Sequence, residues 1–183
     1  MITNKENRVN KLVFNIFGSI YKNKKVFGSK ISDDTNAVQA SYRKEVRAFL
    51  INKDNKFVVV NAKSYEKGAF SPPKGGLKQE ESPLEGLKRE LEEELGIVDF
   101  EIIQKSKLIQ QMIYPPHIQE KSQQKGSVIY SFWIKTNEEI RMNEQELNEV
   151  KYLSSEDFKA LMQQKLNEEE FDVFSRELRD IKY

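Results

Sequence analysis

Apolar positions along this 183-residue chain change their spacing from one stretch to the next, and the changes mark out elements. Val46 to Ile51 and Lys56 to Asn61 are rich in β-branched and aromatic residues and read as two strands around the polar turn Asn52-Lys53-Asp54-Asn55. At Leu84 the spacing lengthens. Leu84, Leu87, Leu91 and Leu95 fall on one stripe at about 100° per residue, which predicts an amphipathic helix. Ser82 can cap it, Pro83 suits its first position, Glu85 completes a capping box, and Gly96 can take the positive φ that closes the last turn. Beyond it, Val98 to Tyr114 supplies one long or two short strands and Ser127 to Lys135 another, joined by a polar loop with Pro115, Pro116, His117 and Lys121. Ser154 or Ser155 can cap a helix to about Lys165, and Asn167 to Tyr183 forms a last one. Pattern alone predicts mixed strands and helices, with no internal repeat.

The predicted helix is unusual in its acids. Glu90, Glu93 and Glu94 are three and four residues apart, which gathers their side chains on one flank beside the leucine stripe. Like charges at that spacing repel, so a divalent cation is the natural neutraliser. An all-oxygen ligand set favours a hard ion: Mg2+ first, Mn2+ second. Just upstream, the prolines and glycines of Phe70-Ser71-Pro72-Pro73-Lys74-Gly75-Gly76 impose an irregular loop that can bring backbone carbonyls close to such an ion.

Gly75, Glu81, Arg89, Glu90, Leu91, Glu93, Glu94, Gly96 and Ile97 fill every fixed position of Gly-x5-Glu-x7-Arg-Glu-apolar-x-Glu-Glu-x-Gly-apolar. By average residue usage such a match arises by chance in far fewer than about one chain in a million. The segment resembles the Nudix box, the signature of hydrolases acting on nucleoside diphosphates linked to another group. The resemblance implies an α/β fold, an α/β/α sandwich with a mixed, curved sheet. It implies that Glu90 and Glu94 are principal metal ligands, that Glu93 is a ligand or positions the attacking water, and that a carbonyl at Lys74 or Gly75 completes a coordination shell. Arg89 then pairs with Glu81 or Glu93 and orients it.

The flanks extend the resemblance. The Pro-Pro-Lys-Gly run looks like the loop of asymmetrical diadenosine tetraphosphate hydrolases, and less closely like that of bacterial RNA pyrophosphohydrolases. Within that likeness Lys74 and Lys125 are phosphate contacts, and Glu146 is the extra carboxylate or general base, with Glu149 as second choice. Val150 and Tyr152 depart from the family's more aromatic pattern. Tyr114 and Tyr130 are candidates to stack on a base, although aromatic residues at strand ends more often pack. His117, the only histidine, has no partner in sight and is read as a surface residue or a hydrogen-bonded structural one rather than a general acid or base. The implied reaction is asymmetrical cleavage of diadenosine tetraphosphate to ATP and AMP. Removal of pyrophosphate from RNA 5′ ends is the alternative, motivated by Tyr42-Arg43. A Nudix domain serving as a structural or ligand-sensing subunit is a third reading, which the intact box disfavours.

Composition adds bounds rather than direction. Thirty basic residues stand against 29 acids, so global charge gives no case for nucleic acid or an anionic membrane. Residues 1–30 carry Lys5, Arg8, Lys11, Lys22, Lys24, Lys25 and Lys30 against Glu6 alone. They read as part of a peripheral arm, residues 1–40, ahead of a single domain at 41–183; an organelle-targeting leader is the sharper reading. No apolar run reaches the roughly 18 residues that span a bilayer, so the expectation is a soluble, intracellular, cytoplasmic protein whose partner is a nucleotide, with no membrane partner. Without cysteine there is no thiolate chemistry and no disulfide.

Overall fold

The computed structural model describes residues 42–182; the basic arm, the leader reading and Tyr183 lie outside the described residues. Six strands form one mixed sheet: β1 (Tyr42–Ile51), β2 (Phe57–Ala62), β3 (Lys74–Gly76), β4 (Glu101–Ile113), β5 (Gly126–Lys135) and β6 (Leu147–Leu153). Their order is β4-β5-β1-β2-β6, with β3 against β1. The described helices are α1 (Pro83–Leu95), α2 (Pro116–Ser122), α3 (Ser155–Gln163) and α4 (Glu168–Asp180).

The centre of the sheet is the parallel pair β1 and β5, in register from Tyr42 with Gly126 to Ile51 with Lys135. A parallel pair must be covered on both faces, which is why Val46 to Ile51 is buried at every position and, Arg47 apart, apolar instead of alternating. Val46, Ala48 and Leu50 face one way and pack with Leu87, Leu91 and Leu95 of α1. Phe49 and Ile51 face the other way and pack with Trp133 and with Phe158 of α3 and Phe174 of α4. Helices therefore cover both faces, as an α/β/α sandwich requires. The second core is aromatic: the Phe49 and Trp133 rings lie 4.5 Å apart, and Phe57 stacks on Phe158 at 4.3 Å. Glu177 of α4, buried beside it, accepts hydrogen bonds from Trp133 Nε1 at 2.8 Å, from the Lys107 amide at 2.7 Å and from Ser106 Oγ.

Strands β1 and β2 share one paired position, Ile51 with Phe57, and then diverge. The segment Ser71–Gly76 fills the fork: Ser71 bridges to Val60, the Ala48 amide donates to the Pro73 carbonyl, and Lys74, Gly75 and Gly76 pair with Arg47, Val46 and Glu45. The loop expected at Phe70–Gly76 thus ends in a strand, because its last residues complete the ladder that β2 abandons. The polar loop expected between β4 and β5 is corrected as well. Pro116–Ser122 is helical, a short helix with no buried residue and no side-chain cap. Such an element carries no apolar periodicity to read. Val98–Tyr114 resolves as one long strand, Glu101–Ile113, with two register shifts.

Candidate active site

Helix α1 forms as its sequence predicts. Ser82 Oγ accepts the Glu85 amide at 3.3 Å, the Glu85 carboxylate accepts the Ser82 amide at 2.9 Å, and Gly96 closes the helix at φ 65°. Burying Leu87, Leu91 and Leu95 fixes its rotation, and the acids follow. Glu94 turns inward and is buried, Glu90 is mostly covered, and Glu93 keeps a half-exposed side chain.

Arg89 organises this flank. Its Nε and one terminal nitrogen grip both oxygens of Glu81 at 2.8 Å, and that nitrogen also donates to the Gly76 carbonyl at 2.9 Å. Its other nitrogen reaches Glu90 at 2.8 Å and Glu93 at 2.9 Å. Every guanidinium donor is used, so Arg89 is a fixed brace. Hydrogen bonds from Arg89 and then from the Lys78 amide hold the Glu81 carboxyl down at about 2.

Glu94 has the opposite environment. Burial first, then the charges of Glu90 and Glu146, push its carboxyl up to about 8, and its Oε2 is buried without a hydrogen-bond partner. Buried polar atoms are seldom left unpaired, and a carboxylate crowded by others calls for a cation. Gly75 supplies the approach: a Cβ there would fall 1.8 Å from Glu90 Cδ, so only glycine admits that carboxylate over β3. These features fit a divalent ion. Among the described residues no three acids already converge as a cage, and Arg89 holds two of the acids, Glu90 and Glu93.

Glu146 arrives from outside the box on a loop clamped to the end of α1. The Asn143 amide donates to the Glu94 carbonyl at 2.9 Å and its side chain to the Glu93 carbonyl at 3.0 Å, while the Glu146 carbonyl accepts the Lys63 amide at 2.7 Å. Lys74 leaves the fork beside these acids and binds Glu45 Oε2 at 3.0 Å; Tyr114 donates to the other Glu45 oxygen at 3.1 Å. Lys74, Gly75, Arg89, Glu90, Glu93, Glu94 and Glu146 are therefore assembled around one fork. Tyr114 stands one residue removed, through Glu45. Lys125 is exposed beside α2, in a shallow cleft with Pro116, Gln119 and Gln123, and no ion pair ties it to the acids among the described residues. His117 is exposed on α2. Sequence reasoning missed Asn143 and Glu45. The first had a signal, an Asn three residues before an acid; the second was a lone acid entering a buried strand.

A family model described as the NUDIX domain matches residues 41–176. The chain belongs to the Nudix family. Members of this family act on nucleotide substrates and generally use divalent metal ions. Nudix hydrolase 25 of Arabidopsis thaliana is 36% identical over 80 residues, which span 44% of this chain and 45% of that protein. An RNA pyrophosphohydrolase of Zymomonas mobilis is 43% identical over 56 residues, 31% of this chain and 36% of that one. The chain thus matches less than half the length of these curated relatives. Among solved structures, a Caenorhabditis elegans Ap4A hydrolase binary complex aligns with TM-score 0.56 and 20% identity, covering 76% of this chain and 99% of that one. A MutT protein from Methanosarcina mazei aligns at 0.53 and 23%, covering 78% and 96%. At these identities the two structures share the fold. No helix among the described residues is long and apolar enough to cross a membrane.

Proposed function

We propose that this Nudix protein hydrolyses a phosphoanhydride bond of a nucleoside polyphosphate with Mg2+, Mn2+ serving in its place, and that the substrate is diadenosine tetraphosphate, cut asymmetrically to ATP and AMP. The carrying observation is the unpartnered, buried Glu94 carboxylate facing Glu90 and Glu146 with Lys74 alongside. Glu90 and Glu94 would hold the ion, with Glu93 and the Gly75 carbonyl available to complete its shell. When bound, the ion neutralises phosphate charge and makes water a better nucleophile. Glu146, or Glu93 once it leaves Arg89, accepts the proton of the water that adds to phosphorus, and the bridging oxygen leaves with the other fragment. Lys74 neutralises a phosphate oxygen, and Arg89 keeps the acids in place. The Pro72-Pro73-Lys74-Gly75 loop and the fold likeness to the Ap4A hydrolase support this substrate.

Incubation with diadenosine tetraphosphate and Mg2+, resolved by chromatography, tests the reading. ATP and AMP in equal amounts are expected; release no faster than by Glu93→Gln refutes it. Removal of pyrophosphate from RNA is the second reading, favoured by Arg43, whose guanidinium lies over Gly76 at the mouth of the fork, and by the Zymomonas relative. Faster conversion of a 5′-triphosphate transcript to the monophosphate would put it first.

A further inference from the structure

The apolar row of β1 that faces α3 and α4 does not continue to the start of the strand. Phe49 and Ile51 give way to Arg47 and Glu45, both buried. Arg47 is 4% exposed, yet among the described residues its guanidinium donates to one group, Gln110 Oε1 of β4. Across the β1–β5 ladder its register partner is Ser131, whose Oγ is also buried and has no partner. On the other side its register partner is Lys74. Gln110 donates in turn to the Lys165 carbonyl at 3.3 Å and to Glu170 at 3.0 Å, which brings the end of α3 and the start of α4 to this floor.

Three cations therefore border one floor: Arg47 in it, Lys74 as its register partner, and Lys165 through the carbonyl that Gln110 grips. Two carboxylates share the neighbourhood and both are engaged, Glu45 by Lys74 and Tyr114, Glu170 by Gln110 and the Asn167 amide. Their charge does not balance the cations. Desolvation outweighs Glu170 and Glu45 and lowers Arg47 to about 10. Lys165 has an exposed side chain overall, but crowding of its ammonium and repulsion from Arg47 and Lys74 lower it too. A buried guanidinium with one hydrogen-bonding partner, 5.7 Å over the Phe49 ring, an unpartnered hydroxyl and two neighbouring ammonium groups, one paired with Glu45, form a site for an oxyanion. Lys74 is followed on β3 by Gly75, against which Glu90 lies, so this face and the acids meet on the two sides of one short strand.

We propose that the face of β1 bearing Arg47, rimmed by Lys74 and Lys165, is an anion subsite that takes a phosphate group of the substrate beyond the anhydride to be cleaved. The assignment rests on the hydrolytic reading for the word substrate, but its chemistry can be tested without turnover. Inorganic tripolyphosphate is titrated calorimetrically into the metal-free full-length protein. Wild-type binding that weakens at higher salt is expected, with about a tenfold loss in Arg47→Met and a smaller loss in Lys165→Met. Lys165 is exposed, so that variant reports even where Arg47→Met does not fold. Folded variants that bind as tightly as wild type overturn the subsite. If wild type cleaves no nucleotide yet binds tripolyphosphate through Arg47, the hydrolytic reading fails and the subsite stands. If it cleaves diadenosine tetraphosphate with KM unchanged in both variants, the subsite fails and hydrolysis stands; a raised KM with little change in kcat supports both.

Discussion

Glu81→Gln isolates the brace from the chemistry, because Glu81 touches Arg89 and the Lys78 amide and none of the proposed metal ligands. The substitution keeps size and shape but removes the charge that the guanidinium grips. A carboxyl held at about 2 against its ordinary 4.5 is worth about 3 kcal/mol at face value. The pair lies at the protein surface with its side chains 17% and 12% exposed, and solvent screening brings the expectation to about 1 to 2 kcal/mol. For a domain of this size that is roughly 3 to 8 °C in melting temperature. The sign follows from the direction: a depressed carboxyl stabilises fully above its unfolded value, and that stability is lost as pH falls from 4.5 toward about 2. Thermal melts of wild type and Glu81→Gln at intervals from pH 7 to pH 2.5 should therefore show a gap that narrows steadily below about 4.5. A gap constant across this range, or absent at pH 7, would refute the account of Arg89 as a brace anchored on Glu81.

Glu94→Gln should lower turnover about 10²- to 10³-fold and abolish the rise in melting temperature that Mg2+ gives wild type, a result checked by parallel kinetics and melts; full Mg2+ stabilisation of the variant would remove Glu94 from the ligand set. Gly75→Ala forces Glu90 aside, since its new Cβ would sit 1.8 Å from Glu90 Cδ, and should weaken activation by Mg2+ at least about tenfold with only about 1 to 3 kcal/mol lost in urea melts. Glu177→Gln leaves the active-site fork untouched and weakens three hydrogen bonds of the aromatic core; about 1.5 to 3 kcal/mol of stability should go, with activity per folded molecule unchanged.

What could be read from the sequence is what short-range chemistry decides. Ser82, Pro83, Glu85 and Gly96 set the limits of α1 through contacts within a few residues, and the leucine spacing set its rotation. Arg89 and Glu93 are neighbours one turn apart on α1, whereas the pairing of Arg89 with Glu81, eight residues back and ahead of the helix, came from the resemblance. Ser154 and Asn167 announced α3 and α4 just as directly. Glu146 came from resemblance instead, since nothing local links residue 146 to residue 94. The short helix α2 buries nothing and so left no stripe to detect. The arrangement of Glu45, Arg47, Gln110 and Lys165 was invisible: it exists only because β1, β4 and the α3–α4 junction meet across the sheet. Alternation along β1 gave a hint, two charged residues on the row that later carries Phe49 and Ile51.

The parallel pairing of β1 with β5 has a bearing on how this protein comes to exist. Its two strands are joined only after the whole of α1, β4 and α2 has been made, so the central ladder waits for Gly126 to Lys135 to leave the ribosome. Until then β1, the central strand of the sheet, presents an unsatisfied edge, the kind of surface on which chains stick to one another. Closure of long loops of this sort is slow compared with local helix formation. The fork and the acidic helix are thus synthesised early, while β5, which completes the central ladder, and the loop carrying Glu146 follow only later.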